Sequence, residues 1–397
     1  MKKIIGWILI IVISIGSVLI VKEKSDIYDI GVNDTQIEMK IRCKGLKDSV
    51  DFTMNEKSIF LAFSNRILCI PKEGEPYNLI EDDKLDIRCL EINGDKLYFL
   101  TKNEIMSVDI TNRSVEECLG SIPNNGDYKD VMIKSYKEYL FISISSATNS
   151  GVVGSDNQWL NDNKNIHDIS PKDIILNKNK NGAFVSVGTS NTENEVIKGE
   201  AIGNSSIIIF NTNTKKIETF AWGIRNVKGM DIATDGRVFT VVGGMENRGI
   251  RAVENDSDYI YEIKKDYWYG FPDFSGGDPL NSPKFQSKSL TVNTPLMAKY
   301  PMIPPAPIYE HSDLNTLKWI VIDDDGAIDE NKILCLYFYD IKDNSILYSN
   351  IQGTPQKLIA LKENCVVSNM KIINDEFYIL DNKHGFLFTI SKKSKSN

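Results

Sequence analysis

The chain is poor in histidine, lacks closely spaced cysteine pairs and has fewer basic than acidic residues. It contains 3 histidines among 397 residues and no Cys-x-x-Cys pair, so a structural zinc site or a redox-active dithiol has almost no ligands to use. Acidic residues outnumber basic residues by 54 to 46, and the formal net charge is -8. Such a chain is not generally attracted to phosphate backbones. We therefore expect no nucleic-acid partner.

The longest uncharged run lies at the amino terminus. Lys2 and Lys3 precede a run from Ile4 to Val21, which is close to the length that crosses a bilayer as a helix. Residues 1–24 are predicted to be an uncleaved transmembrane helix, because a cleaved signal peptide has a shorter apolar centre. Anchors of this kind commonly place a large polar domain outside. We expect a single-pass protein of the cell membrane with residues 25–397 extracytoplasmic.

The six cysteines form an even set, which permits disulfides in an oxidising compartment. Cys69 and Cys335, however, lie inside apolar runs that are typical of strands. A thiol in such a run acts as a small buried hydrophobe. The sequence favours unpaired structural thiols and leaves pairing open.

Short apolar runs separated by polar turns recur along the chain at a fixed spacing. The segment 54–61 aligns with 92–99, an offset of 92 − 54 = 38 residues, and 370–380 repeats the same pattern near the carboxyl end. A unit of this size is typical of one propeller blade. We predict an all-β chain, a β-propeller most consistent with six blades, in one domain covering residues 25–397. A double β-sandwich is the competing fold, and the fixed offset argues against it. The last strands are expected to pair with the first.

Three runs in loop-rich regions carry the chemistry. The first is 139–154, which contains Thr148-Asn149-Ser150-Gly151. The second, 222–237, opens with Trp222-Gly223-Ile224-Arg225-Asn226, and the third, 254–279, holds an acidic loop and the turn Tyr269-Gly270-Phe271-Pro272. In this order the runs resemble the soluble quinoprotein glucose/sorbosone (aldose sugar) dehydrogenase family.

That resemblance implies a six-bladed propeller and a set of cofactors. Active family members bind pyrroloquinoline quinone and calcium at the top of the central channel, and they pass hydride from a sugar hydroxyl to the quinone while a histidine removes the proton. Arg225 matches the family arginine that contacts the cofactor, with Asn226 beside it. Thr148 and Asn149 are taken as further cofactor contacts. A fixed guanidinium stabilises negative charge on a quinone oxygen. The alternative is that Arg225 and Asn226 tie a loop to neighbouring carbonyls.

The chain departs from the family at the catalytic base. The segment 124–130, where the family histidine is expected, contains no histidine. Asp127 is the candidate base in its place, which requires burial to raise its pKa. The basic residues that hold the quinone carboxylates from later blades have no clear counterparts.

Four further positions belong to the candidate site, and each also has a purely structural interpretation. Glu254, Asp256 and Asp258 are predicted calcium ligands, or a solvated acidic loop without EF-hand spacing. His167 is predicted to face substrate, or to be a hydrogen-bonded loop histidine.

Trp268 and Tyr269 are predicted to form a platform on which a sugar stacks, together with Phe271 and Phe274. Alternatively, these rings fill the space under a long loop. The sequence does not separate the two interpretations.

Two functions follow. The first is a membrane-anchored quinoprotein that oxidises a sugar or related alcohol. The second is a catalytically degenerate propeller that binds a carbohydrate, a cell-envelope ligand or a protein partner. The membrane is the expected partner of the amino-terminal helix.

Overall fold

A computed structural model of the chain describes residues 31–32, 37–286, 292–328, 334–351, 353–362 and 364–392. These residues form β-strands and two 3-10 helices of three or four residues, so the all-β prediction is confirmed. Within these ranges, no helix is both long and apolar enough to traverse a bilayer. The transmembrane prediction for Ile4 to Val21 lies outside the described residues.

The strands are short and follow one another closely. The first fifteen are β1 (Gly31–Val32), β2 (Ile37–Lys44), β3 (Asp51–Met54), β4 (Ser58–Phe63), β5 (Arg66–Pro71), β6 (Tyr77–Glu81), β7 (Ile87–Asn93), β8 (Lys96–Thr101), β9 (Glu104–Asp109), β10 (Val115–Leu119), β11 (Ile133–Tyr136), β12 (Tyr139–Ile144), β13 (Ile174–Leu176), β14 (Glu195–Ile197) and β15 (Ser206–Asn211).

The remaining strands are β16 (Ile217–Trp222), β17 (Val227–Ile232), β18 (Val238–Val242), β19 (Tyr259–Ile263), β20 (Phe274–Ser275), β21 (Asp278–Pro279), β22 (Tyr309–Glu310), β23 (Leu317–Asp323), β24 (Cys335–Asp340), β25 (Ser345–Asn350), β26 (Gln356–Ala360), β27 (Val367–Ile373), β28 (Glu376–Asp381) and β29 (Phe386–Lys392). The two 3-10 helices are Gln158–Asn161 and Pro283–Phe285.

These strands form six larger sheets and two two-stranded ribbons. The sheet orders are β3-β4-β5-β6, β10-β9-β8-β7, β11-β12-β15-β16, β17-β18-β19-β22, β1-β26-β25-β24-β23 and β2-β29-β28-β27, and the ribbons are β13-β14 and β20-β21. The predicted pairing of the last strands with the first is confirmed, because β2 pairs with β29 from Ile37↔Lys392 to Lys44↔Phe386.

The 38-residue repeat corresponds to repeated hairpins. The segment 54–61 covers the end of β3, a turn and most of β4, and 92–99 covers the equivalent parts of β7 and β8. In β8 the consecutive residues Leu97 to Leu100 are all buried, so both faces of the strand are covered. Gly94 in the β7–β8 turn has φ +60°, a conformation that glycine adopts without a Cβ clash.

The described residues divide into two compact units, the first drawn from the ranges 1–90 and 321–397 and the second from 91–320. A core cluster of the first unit joins β2, β3, β4, β5, β28 and β29 through Cys43, Leu46, Phe52, Met54, Leu61, Phe63, Ile70, Tyr378, Leu380 and Leu387. The second unit holds two such clusters, one of which surrounds the fully buried Trp268.

The cysteines behave as small hydrophobes. All six are present as thiols, and all but the half-buried Cys118 are buried. Burial raises the pKa of Cys43 to about 11, more than the nearby Arg42 lowers it.

Candidate functional site

The motif runs meet in the second unit, where the chain leaves β16. Gly223 follows this strand with φ +70°, and a Cβ at this position would lie 2.4 Å from the Trp268 ring. Glycine therefore lets the backbone pass the indole closely. Two residues later Arg225 turns inward and is buried, with 4% of its surface exposed.

All five N–H donors of Arg225 bind acceptors from the protein itself. Nε donates to the Asn149 carbonyl at 2.8 Å, and Nη1 donates to the carbonyls of Gly243, at 3.1 Å, and Gly244. Nη2 donates to Asn149 Oδ1 at 2.7 Å and to the Tyr128 hydroxyl. Because a guanidinium has five donors in a fixed plane, Arg225 has none left for a ligand in this arrangement. It acts as a tie between loops.

Tyr128 and Arg248 cover Arg225, and sequence reasoning missed both. The Arg225 guanidinium carbon lies 4.3 Å from the centroid of the Tyr128 ring, and that of Arg248 lies 5.8 Å from it. Arg248 Nη2 donates to the Tyr128 hydroxyl at 2.8 Å. Burial raises the pKa of Tyr128 more than the two guanidinium groups lower it. The hydroxyl therefore stays protonated and donates to Glu246 Oε1 at 3.3 Å.

Asp127, the candidate base, is held by three donors. Its Oδ2 accepts from Asn157 Nδ2 and from Arg248 Nη2, both at 2.8 Å, and its Oδ1 accepts from Trp159 Nε1 at 2.8 Å. These bonds attach the 3-10 helix Gln158–Asn161 to the site. Both carboxylate oxygens are engaged, so the geometry supports a positioning role for Asp127 rather than the base predicted from the sequence.

Arg248 binds three carboxylates at once. Besides Asp127 it donates to Asp156 Oδ2 at 2.6 Å and to Glu246 Oε2. Burial alone raises the pKa of Glu246, but the bond from Arg248 and the charge of Arg225 outweigh it, so this pKa lies below its ordinary value. Half-buried side chains surround this guanidinium. We name the group the Arg248 patch: Asp127, Tyr128, Asp156, Trp159, Glu246 and Arg248.

Thr148 and Asn149 fix the loop after β12. The Asn149 side-chain amide donates to the carbonyls of Glu246, at 2.8 Å, and Arg248, at 3.1 Å. Thr148 Oγ1 donates to Asp168 Oδ2 at 2.5 Å and accepts from Gly151 N at 2.8 Å. Both side chains are buried, and their polar atoms bind protein groups. The sequence predicts Thr148 and Asn149 as cofactor contacts; in the structure Asn149 accepts from Arg225 instead.

His167 is the hydrogen-bonded loop histidine of the structural alternative. Its Nδ1 lies 2.9 Å from the Asp168 carbonyl oxygen. The buried Asp168 accepts from Ala147 N at 2.6 Å, and burial raises its pKa to about 6 despite the bond from Thr148. The structure gives His167 no contact with Arg225.

Asn226 forms hydrogen bonds with Ser145 and Gly243. Its Oδ1 accepts from the Ser145 hydroxyl at 3.1 Å, and its carbonyl accepts from Gly243 N at 2.8 Å. The next polar residue, Lys228, is 3.3 Å from both Asp258 oxygens and 2.8 Å from Asn315 Oδ1. Burial lowers the pKa of Lys228, and Asp258 offsets part of that shift.

The expected calcium set is corrected by the structure. Asp258 accepts from the backbone N–H groups of residues 315, 316 and 317 at 2.8–3.1 Å. Asp256 accepts from Met245 N at 2.5 Å and from the Tyr259 hydroxyl at 2.5 Å, whereas Glu254 accepts from Asn247. Glu254 and Asp256 thus accept from residues of the loop between β18 and β19, whereas Asp258 accepts from the segment 315–317. Among the described residues, no group of three His, Cys, Asp or Glu side chains is arranged to hold a metal ion.

The predicted sugar platform is also corrected. Trp268 is fully buried, stacks on Tyr300 at 5.4 Å with an interplanar angle of 18°, and donates to the Phe271 carbonyl at 3.1 Å. Tyr269 is 4% exposed and donates to the Glu262 carbonyl at 3.0 Å. A ring without an exposed face cannot stack on a sugar. These aromatics are core, as the structural alternative had it.

The quinone does not fit the residues around Arg225. The cavity beside Arg225 has a volume of about 20 Å³, enough for roughly one water molecule. The guanidinium donors are all engaged, and the Arg248 patch presents three carboxylates against one half-buried guanidinium. Such a surface repels the carboxylates of a quinone.

Comparison with known proteins gives the fold. No protein-family model and no curated protein sequence matches the chain. Among solved structures it is similar to the holo form of the pyranose dehydrogenase PQQ domain from Coprinopsis cinerea. The TM-score is 0.61 and the sequence identity is 10%, and the alignment covers 93% of this chain and 98% of that chain.

Two further structures agree. A calcium structure of Trichoderma reesei Carbohydrate-Active Enzymes Family AA12 has a TM-score of 0.62 and 12% identity over 94% of this chain and 99% of that one. PQQ-bound aldose sugar dehydrogenase from Streptomyces coelicolor has a TM-score of 0.55 and 11% identity, and the alignment covers 91% of this chain and 99% of that chain. The fold is a six-bladed all-β propeller, similar to these structures. The resemblance carried by the three motif runs is confirmed at this level.

Proposed function

We propose that this propeller binds a carbohydrate at the Arg248 patch and does not oxidise it. The observation that carries the proposal is the saturation of Arg225, whose five donors bind the protein itself. The position that contacts the cofactor in the resembling family is therefore occupied by structural bonds.

The patch has the groups that sugar recognition needs. Sugar hydroxyls both donate and accept, so a guanidinium among carboxylates offers partners of both kinds in fixed positions. The half-buried Trp159 ring lies beside them, anchored through its Nε1 to Asp127. An aromatic face packs against the C–H face of a sugar ring, whereas Trp268 has no face to offer. Two structural neighbours, a pyranose dehydrogenase and an aldose sugar dehydrogenase, support this ligand class.

The test is calorimetric titration of the full chain with glucose and short glucose oligomers. We expect saturable binding that Trp159→Ala abolishes. The matched control is Tyr267→Ala, since Tyr267 is an aromatic residue of the same unit that is 40% exposed and lies outside the patch. Binding that survives Trp159→Ala, or no saturable binding of any sugar, would contradict the proposal.

The second candidate is sugar oxidation with pyrroloquinoline quinone and calcium. It is favoured by the Arg225-Asn226 segment and by the quinone-containing structural neighbours. It requires Arg225 to exchange its bonds to residues 149, 243 and 244 for bonds to the cofactor. Sugar-dependent dye reduction that depends on added quinone and disappears in Arg225→Ala is the result that would establish it.

We further propose that residues 1–24 anchor the chain in the cell membrane and that the propeller is extracytoplasmic. The uncharged run from Ile4 to Val21 supports this topology. Protease added to intact cells should then degrade the propeller. Protection in intact cells and degradation only after lysis would reverse the assignment.

A further inference from the structure

The first unit contains a groove with no part in the proposed sugar site. Its volume is about 480 Å³, within the range of pockets that hold small ligands. It opens beside the β3–β4 turn, and its lining residues come from the sheets β3-β4-β5-β6 and β2-β29-β28-β27.

The walls are mainly apolar. Met54, Ile59, Ile70 and Pro71 line one side, and the Tyr378 ring lines the other. Met54, Ile70 and Tyr378 also belong to the core cluster of this unit, so the groove is backed by well-packed residues. A ligand that fills it must offer apolar surface, which is stabilised when it leaves water.

The rim is positively charged. Arg42 donates from Nη2 to Glu376 and from Nε to Thr389 at 3.1 Å, which leaves Nη1 available among its described contacts. Glu376 also accepts from the Tyr378 hydroxyl at 2.7 Å, so its charge is shared between two donors. Lys72 is exposed, and no side-chain partner is described for its Nζ. The two cations, Arg42 and Lys72, outnumber the one carboxylate, Glu376, so the lining carries a net positive charge.

From this combination we infer that the groove binds an anionic single-chain amphiphile, such as a long-chain carboxylate. The alkyl chain lies between Met54, Ile59 and Ile70, and the head group is placed at Lys72 and the open edge of Arg42. The charge of the rim selects an anion over a neutral or cationic head group. The apolar walls select chain length.

The test uses the full chain and a dodecanoate carrying a terminal diazirine. After irradiation, peptide mapping by mass spectrometry should place the label within residues 54–72. Unlabelled amphiphiles with different head groups then compete with the labelled dodecanoate, with the same detergent in every sample, and their competition shows which head group the groove prefers. We expect dodecanoate to compete at least about fivefold better than dodecanol or dodecyltrimethylammonium, and each added methylene to improve competition about fourfold.

Two variants test the named contacts. Lys72→Glu should weaken dodecanoate competition about fivefold or more, whereas Lys84→Glu, the same charge change at an exposed residue of the same unit, should leave it unchanged. Ile59→Trp should reduce labelling by filling the half-buried wall.

Three results would overturn the inference. They are labelling spread evenly over the chain, equal competition by the alcohol and the carboxylate, and an unchanged response in Lys72→Glu. Protection of the groove by self-association, seen as concentration-dependent dimers that block labelling, would assign it to a second copy of the chain instead.

Discussion

The Arg225 guanidinium lies over the Tyr128 ring, with 4.3 Å between the guanidinium carbon and the ring centroid. A cation over a ring is attracted by the electronegative ring face, and burial strengthens the attraction. The same ring also faces Arg248 at 5.8 Å. Tyr128 thus joins the buried cation of the motif to the half-buried cation of the Arg248 patch.

Replacing Arg225 should cost stability. In Arg225→Lys the planar fork is lost, and buried carbonyls of residues 149, 243 and 244 are left without donors, at about 1–3 kcal/mol each. We expect urea unfolding to show a free energy of unfolding lower by about 3 kcal/mol or more. The control is Arg237→Lys, at a half-buried turn position paired with Asp235, where the change should stay within about 0.5 kcal/mol. An unfolding midpoint in Arg225→Lys equal to that of the control would show that the five bonds contribute nothing.

Asp127 should stabilise the segment 157–162 against local unfolding. Asp127→Asn weakens the bonds that hold Trp159, Asn157 and Arg248, and a hydrogen bond to a charged group contributes about 1.5–3 kcal/mol. Amide hydrogen exchange in residues 157–162 should therefore accelerate about tenfold. Asp130→Asn, at an exposed position in the same segment, should leave exchange unaltered. Equal rates in both variants would remove the positioning role.

Substitutions of Trp268 and Trp159 should affect different properties of the protein, stability for Trp268 and sugar binding for Trp159. Trp268→Leu removes part of a fully buried ring and should lower the free energy of unfolding by about 3 kcal/mol. Trp159→Leu, at a half-buried ring on the patch, should lower it by about 1 kcal/mol or less while abolishing sugar binding. Thermal unfolding and calorimetric titration of both variants check this. The reverse order of stabilities would place Trp268 outside the core.

Asp168 should impose a pH dependence on stability. Its pKa is raised from 3.8 to about 6 by burial, so the folded chain binds this proton more tightly than the unfolded chain does. The contribution is fully present below about pH 4 and is lost as the pH rises through about 6. Its size is on the order of 3 kcal/mol.

The measurement is the free energy of unfolding between pH 4 and 7. In Asp168→Asn the decline with rising pH should be smaller by this amount, whereas Asp162→Asn, at an exposed aspartate of the same loop, should follow the parent curve. Parallel curves for the parent and Asp168→Asn would contradict the shifted pKa.

The hairpins could be predicted from the sequence, but the roles of the site residues could not. The repeat of 54–61 at 92–99 reports local pairing, because turn residues and apolar alternation set the register of a hairpin. By contrast, Tyr128 and Arg225 are 97 positions apart and Arg248 lies a further 23 residues along the chain. No local spacing links them, and only the folded loops bring them together.

The burial of Trp268 could not be predicted from the sequence either. It lies in an irregular loop where neither strand nor helix periodicity indicates which face is buried. Its burial depends on Tyr300, more than 30 residues later, and on the glycine at 223 that lets the backbone approach. A sugar platform and a core plug therefore look alike in sequence.

The most direct test of a site closed by its own side chains is quinone binding. The full chain is titrated with pyrroloquinoline quinone in the presence of calcium, and bound quinone is followed by its absorbance after removal of free cofactor. We predict no retained quinone and no sugar-dependent dye reduction, together with sugar binding that requires Trp159. Stoichiometric quinone retained by the parent chain and lost in Arg225→Ala would contradict this prediction.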